Sequence, residues 1–201
     1  GSRAPGVRPG SAPGSGAPLW WLQLPALAVL VTLLDRSHSA VSAAALGLVF
    51  ATAWMCGTFW WLFLSMYTYG GLAAPLAALA VLALGAFVAL FYAAACAAWR
   101  AWARGHWLWR ALVFAALWLL AELCRGQWLT GFPWGAAGYS HVDGPLAALA
   151  RYIGVYGMGA VAAALAMAAV QLRRPDLRRR RCWGVLIAGG AGDVSATGSI
   201  D

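Results

Sequence analysis

The chain has 201 residues, 63% of them hydrophobic and 10% charged, where a soluble domain carries about 25% charged side chains. Its formal net charge of +8 comes from 14 arginines, with no lysine, against six acidic residues. This balance excludes a soluble globular domain, whose surface could not be covered with polar groups, and every mechanism that needs a lysine as Schiff base, phosphate clamp or general base. With Glu122 the sole glutamate, carboxylate chemistry is scarce as well.

Residues 1–18 are rich in Gly, Pro, Ser and Ala, too poor in apolar side chains to fold, and read as a flexible segment. Residues 19–172 hold five apolar runs, which predict an all-α, polytopic transmembrane helix bundle of about five spanning helices. The first run, 19–34, opens on Trp20 and Trp21 and closes on Asp35 and Arg36. The second, 40–66, carries Trp54, Trp60 and Trp61; the third, 72–98, has 27 residues without a charge. As one helix that third run would be about 40 Å long, more than a ~30 Å hydrocarbon core, so tilt or protrusion is expected. The fourth, 107–123, carries Glu122 near its end. In the fifth, 146–172, Arg151 and the glycines Gly154, Gly157 and Gly159 predict irregular first turns. Residues 173–201 read as an Arg-rich flank, a short apolar segment that cannot span, and a tail.

Charge then sets a topology. If the runs alternate direction, the loops 35–39, 99–106 and 173–181 share one face, which with Arg110 holds ten of the arginines. The positive-inside rule makes that face, including the 173–181 flank, cytoplasmic. The arginines are not interleaved with a polar, base-stacking surface, so nucleic acid is not an expected partner. Cys56, Cys96, Cys124 and Cys182 form no CxxC and have no His at metal spacing, so they read as ordinary thiols, with no disulfide, metal or cofactor expected.

The outward stretch 122–145 is the most informative. Gly126, Gly131, Gly135 and Gly138 argue against a continuous helix, and Trp128, Phe132, Trp134 and Tyr139 are aromatics of the kind that sit at headgroup level. An interfacial or re-entrant element follows, either the wall of a lipid-binding site or an aromatic belt that anchors the bundle. Trp128, Phe132, Trp134 and Tyr139 are the candidates for facing substrate or lipid. Glu122 and Arg125, at i and i+3, are placed to meet on one helix face, and the expectation is a structural ion pair rather than a catalytic acid. Ser140, His141 and Asp143 have the residue types of a hydrolase triad, but side chains from four consecutive residues do not converge as a triad must.

The order of features from 48 to 170 resembles the membrane domain of bacterial apolipoprotein N-acyltransferases. Around the first outward turn the residues that carry the resemblance are Trp60, Ser65, Met66, Tyr69, Gly70, Gly71 and Pro75, followed by Ala89, Leu90, Phe91 and Tyr92. Then come Glu122, Leu123, Arg125 and Gly126, the Trp-Leu-Thr-Gly-Phe-Pro-Trp run 128–134, the Gly-Tyr-Ser run 138–140, the Asp-Gly-Pro run 143–145, and Gly154 with Val155. Tyr67 and Thr68 depart from it, since many relatives carry more polar residues there. The resemblance implies an integral inner-membrane enzyme. Such enzymes take an acyl chain from a phospholipid onto a cysteine, as a thioester, and pass it to the amino group of the diacylglyceryl-cysteine of an apolipoprotein. Membrane phospholipid and apolipoprotein are the implied partners. It further implies that the catalytic Glu, Lys and Cys lie in a periplasmic nitrilase-like domain. A chain without lysine cannot hold that domain, so it is expected to be inactive alone, and Cys182, on an Arg-rich flank, is not expected to be the nucleophile. The alternative from another class is a stand-alone membrane scaffold or lipid-binding module without catalysis.

Overall fold

Backbone polar groups in hydrocarbon have to be satisfied within the chain, which leaves the helix as the form available to long Ala- and Leu-rich runs. The computed structural model describes residues 20–128, 131–142 and 144–173. They form six α-helices: α1 (Trp20–Arg36), α2 (Ala40–Thr58), α3 (Trp60–Leu64), α4 (Ala74–Trp102), α5 (Trp107–Gln127) and α6 (Ala150–Leu172). A π-helical turn, Ser65–Tyr69, follows α3, and two 3-10 turns, Ala137–His141 and Pro145–Leu149, precede α6. There is no strand among the described residues, so the chain is the all-α bundle its composition calls for. The segment 1–18, the flank and tail beyond Arg173, Cys182 and Asp143 lie outside the described residues.

Among the described residues four helical stretches are long and apolar enough to cross a membrane: Ala40–Thr58, Ala74–Trp102, Trp107–Gln127 and Pro145–Leu172. The expected fifth span, α1, has 17 residues and reaches about 25 Å, short of a ~30 Å core. It nevertheless belongs to the same bundle, burying Leu27, Leu30, Val31 and Leu34. The second apolar run also differs from expectation, because it breaks at Phe59 into α2, α3 and the π-helical turn. Two features account for the break. The Thr58 hydroxyl donates to the Trp54 carbonyl at 2.9 Å, a back-bond that bends helices, and the Phe59 ring is drawn fully into the core. In the fifth run the expected irregular start is present as the 3-10 turn Pro145–Leu149 and a kink at Gly154, whose φ of 64° is left-handed.

The most extensive helix packing among the described residues is α2 against α4. Ala43, Gly47, Ala51 and Met55 recur every fourth residue along one buried face of α2, the small-residue spacing that lets backbones approach in lipid. At Gly47 even a Cβ would lie 2.7 Å from the Cys96 Sγ and 3.0 Å from the Tyr92 carbonyl oxygen. The turn into α2 is closed by a capping box: Ser39 Oγ accepts from the Ser42 N–H at 3.1 Å, and Ser42 Oγ accepts from the Ser39 N–H at 3.3 Å.

One end of the bundle is tied by polar groups. Arg110 on α5 pairs with Asp35 at the end of α1, while Gln171 near the end of α6 donates to Asp35 at 2.8 Å and accepts from Arg110 at 3.3 Å. Arg100 on α4 donates to the Ser37 carbonyl at 2.9 Å. Arg110 also lies 4.9 Å over the Trp99 ring, whose Nε1–H donates to the Arg110 carbonyl at 3.1 Å. The ends of α1, α4 and α6 and the start of α5 therefore meet at one pole, the grouping that alternating runs require.

Candidate functional site

The other polar cluster lies toward the opposite end of α5. Glu122 and Arg125 sit one turn apart on the inward face of that helix, and both side chains are buried. Arg125 Nη2 reaches Glu122 Oε2 at 2.7 Å, and Nε donates to the same oxygen at 3.2 Å and to the Tyr92 hydroxyl at 2.9 Å. The Tyr92 hydroxyl in turn donates to Glu122 Oε1 at 2.8 Å. Every atom that carries charge here has a partner, as a charge pair removed from water requires.

The same cluster fixes the path of the chain beyond α5. Arg125 Nη1 donates to the carbonyls of Phe132 and Trp134 at 2.7 and 2.9 Å, and the backbone N–H of Ala137 donates to Glu122 Oε1 at 3.1 Å. Residues 132–137 are thus pinned to a helix from inside the bundle, and Ala136, Ala137, Gly138 and His141 are buried. Irregular backbone buried in a helix bundle is tolerated only where protein satisfies it, as Arg125 and Glu122 do here. Gly138 makes the descent possible, since a Cβ there would lie 1.8 Å from the Val155 carbonyl oxygen on α6.

The four aromatic candidates separate. Trp128, Trp134 and Tyr139 are 66%, 56% and 57% exposed on the outer surface. Phe132 instead turns inward, its ring 5.0 Å from Phe59 and edge-on to it, and 5.5 Å from Trp134. Trp128 rests edge-on against Phe91 at 6.3 Å. The loop is therefore anchored by Phe132 and leaves three amphipathic aromatics exposed.

His141 is buried, and neither ring nitrogen has a hydrogen-bond partner among the described residues. Burial without a partner lowers its pKa below the ordinary histidine value, because the charged ring would lose its hydration. Ser140 is not hydrogen-bonded to it, and Asp143 lies outside the described residues. Among the described residues no group of His, Cys, Asp and Glu is placed to hold a metal ion. Cys56, Cys96 and Cys124 are free thiols.

Tyr92 is the participant that the residue pattern did not flag as part of the site. Its signal is a lone hydroxyl in a long uncharged run, and nothing local to it points to Glu122, 30 residues away in sequence. Asp35, Arg110 and Gln171 were missed for the same reason, being joined only by the fold.

Residues 11–168 match the model of the apolipoprotein N-acyltransferase N-terminal domain. The chain belongs to this family. A protein of Verminephrobacter eiseniae described as apolipoprotein N-acyltransferase is 58% identical over 183 residues, which is 89% of this chain and 34% of that protein. One of Ralstonia nicotianae is 45% identical over 150 residues, covering 73% of this chain and 29% of the relative. A third, from Pseudomonas putida, is 52% identical over 99 residues, 48% of this chain and 20% of the relative. The chain thus spans about a third of the length of the curated relatives it matches over most of its own length. Its apolar helices and its family make it a membrane protein of an acyltransferase family.

Proposed function

We propose that this chain is the membrane part of an enzyme that transfers an acyl chain from a phospholipid to the N-terminal diacylglyceryl-cysteine of lipoproteins, and that it does not catalyse the transfer alone. The observation that carries the reading is the re-entrant loop held by Glu122, Arg125 and Tyr92, which presents Trp128, Trp134 and Tyr139 outward. Rigid aromatics at headgroup depth can hold acyl chains and glycerol backbones with little loss of side-chain entropy. The residues at hand support the reading that the chain is inactive alone. The one glutamate is committed to Arg125, Tyr92 and Ala137, and the chain has no lysine to fill the role that the family resemblance gives that residue.

The reading includes an orientation in the bacterial inner membrane. The pole of Asp35, Arg100 and Arg110 faces the cytoplasm, and the loop of Trp128 and Trp134 faces outward, as the arginine distribution favours. Phospholipid and apolipoprotein are the partners in this reading.

The test is an assay of the purified 201-residue chain for acyl transfer from phosphatidylethanolamine to a diacylated lipopeptide. No product is expected, whereas turnover would sink the claim of inactivity. Its companion is replacement by Leu of the residue that aligns with Arg125 in the full-length Verminephrobacter eiseniae relative. Transfer should fall at least about tenfold there, by loss of ordered positioning; unchanged transfer would detach the loop from the activity. For orientation, His38→Cys and Tyr139→Cys in a cysteine-free background should react with an impermeant maleimide from opposite sides of the membrane.

A further inference from the structure

The polar pole has a second feature that neither knot uses. Between α1 and α6 runs an open apolar groove of about 570 Å³, walled by Leu24 and Ala28 on α1 and by Leu165 and Ala169 on α6. An adjoining hollow lined by Ala28, Leu33 and Val170 carries it to Arg36, and Arg173 lines both parts. Ala28 and Ala169 line it with small side chains, and the larger Leu33 and Leu165 are 40% and 48% exposed. From Leu24 to Arg36 it extends about 18 Å along the helix, close to one leaflet of a ~30 Å core.

Among the described residues the two guanidinium groups at its end have no ion-pair partner: the ion pairs are Asp35–Arg110 and Glu122–Arg125, and neither Arg36 nor Arg173 takes part in one. Asp35, next to Arg36 in sequence, already accepts from Arg110 and Gln171. A leaflet-long apolar trough ending in two exposed cations is complementary to one molecule with an acyl chain and a negative headgroup.

We propose that the α1–α6 groove is a binding site for one anionic phospholipid, its acyl chain along Ala28 and Ala169 and its phosphate between Arg36 and Arg173. The site is on the opposite pole from the re-entrant loop and is independent of the acyl-transfer reading. It would hold α1, the shortest of the long helices, against α6 by a lipid wedged across both.

The test is native mass spectrometry of the full chain released from detergent after equilibration with equal amounts of phosphatidylglycerol and phosphatidylcholine of identical chains. The wild type should retain one phosphatidylglycerol, with about tenfold preference over phosphatidylcholine, from two cations near an anionic headgroup. Arg36→Gln with Arg173→Gln should bring the preference close to parity despite the other arginines that follow in the sequence. Arg36→Lys with Arg173→Lys should restore it, which separates lost charge from lost fold. Ala169→Trp, which fills the trough and leaves both cations, should reduce retention of both lipids. Absence of preference in the wild type, an undiminished preference in the double glutamine variant, or a lipid-free dimer occupying the groove would each overturn the proposal.

Discussion

Arg125 is the residue on which the site turns, because it serves two purposes with one planar fork. Part of the guanidinium neutralises Glu122 and part donates to two loop carbonyls. Arg125→Leu leaves Glu122 buried without its counter-charge and two carbonyls without donors. The expected cost is about 3–5 kcal/mol of unfolding free energy, read as a shift in the denaturation midpoint in detergent. Glu122→Leu combined with Arg125→Leu should recover part of that loss, since no isolated charge remains; a double variant worse than Arg125→Leu by the full cost of a second charge would contradict the pairing. The i, i+3 spacing of this pair was legible in the sequence. Its third member, Tyr92, and its grip on the Phe132 and Trp134 carbonyls were not, because they depend on helices and a loop that meet only in the folded bundle.

His141 gives the other prediction at this scale. Its folded pKa lies below the unfolded value of about 6.5, so in the window between the two the unfolded chain binds more protons than the folded one. Stability is therefore insensitive to this group above that window and falls as pH drops through it. Thermal unfolding in detergent at about pH 5.5 should have a lower midpoint than at about pH 7.5. His141→Phe should shrink the difference. A pH response identical in the variant would remove His141 as its source.

At the scale of elements, the distinction between a helix that is apolar and a helix that packs lies in a few small residues. Two glycines on α2 make this concrete. Gly47 lies against Cys96 and the Tyr92 carbonyl with no room for a methyl group, whereas a Cβ at Gly57 meets nothing within 4 Å. Gly47→Ala should cost about 1–3 kcal/mol by forcing α2 from α4. Gly57→Ala should be neutral or stabilising by up to about 1 kcal/mol from helix propensity alone. Reversible unfolding in mixed micelles compares the two directly, and equal effects would contradict the α2–α4 contact. The apolar runs predicted the existence of the long helices well, since length and composition alone decide what can cross a bilayer. They predicted the break at Phe59 poorly. Hydropathy continues through it, and only the burial of the Phe59 ring and the Thr58 back-bond show why the helix ends.

For the whole molecule, α5 is the common axis of two polar knots, one at each end of an otherwise apolar bundle. Arg110 ties it to Asp35 and Gln171 at one pole, and Arg125 ties it to Tyr92 and the re-entrant loop toward the other. The two arginines are 15 positions apart on one helix, about 22 Å along its axis, and the hydrogen bonds of the two knots have no residue in common. Perturbations so separated add when the structure between them responds as one rigid body, and fail to add when one of them releases a part of the fold on its own. The apolar packing between the knots is continuous, from Phe114 against Trp99 to Trp118 against Tyr92, so the bundle should unfold as a unit. Arg110→Leu and Arg125→Leu should therefore lower the unfolding free energy by amounts that sum in the double variant to within about 0.5 kcal/mol. The measurement is the denaturation curve of all four proteins in one detergent, followed by far-ultraviolet circular dichroism. A double variant with much less than the summed loss, or with a second transition absent from the wild type, would mean that the re-entrant loop and α6 detach before the rest. The loop would then be a part that opens by itself, and not a fixed wall of the bundle.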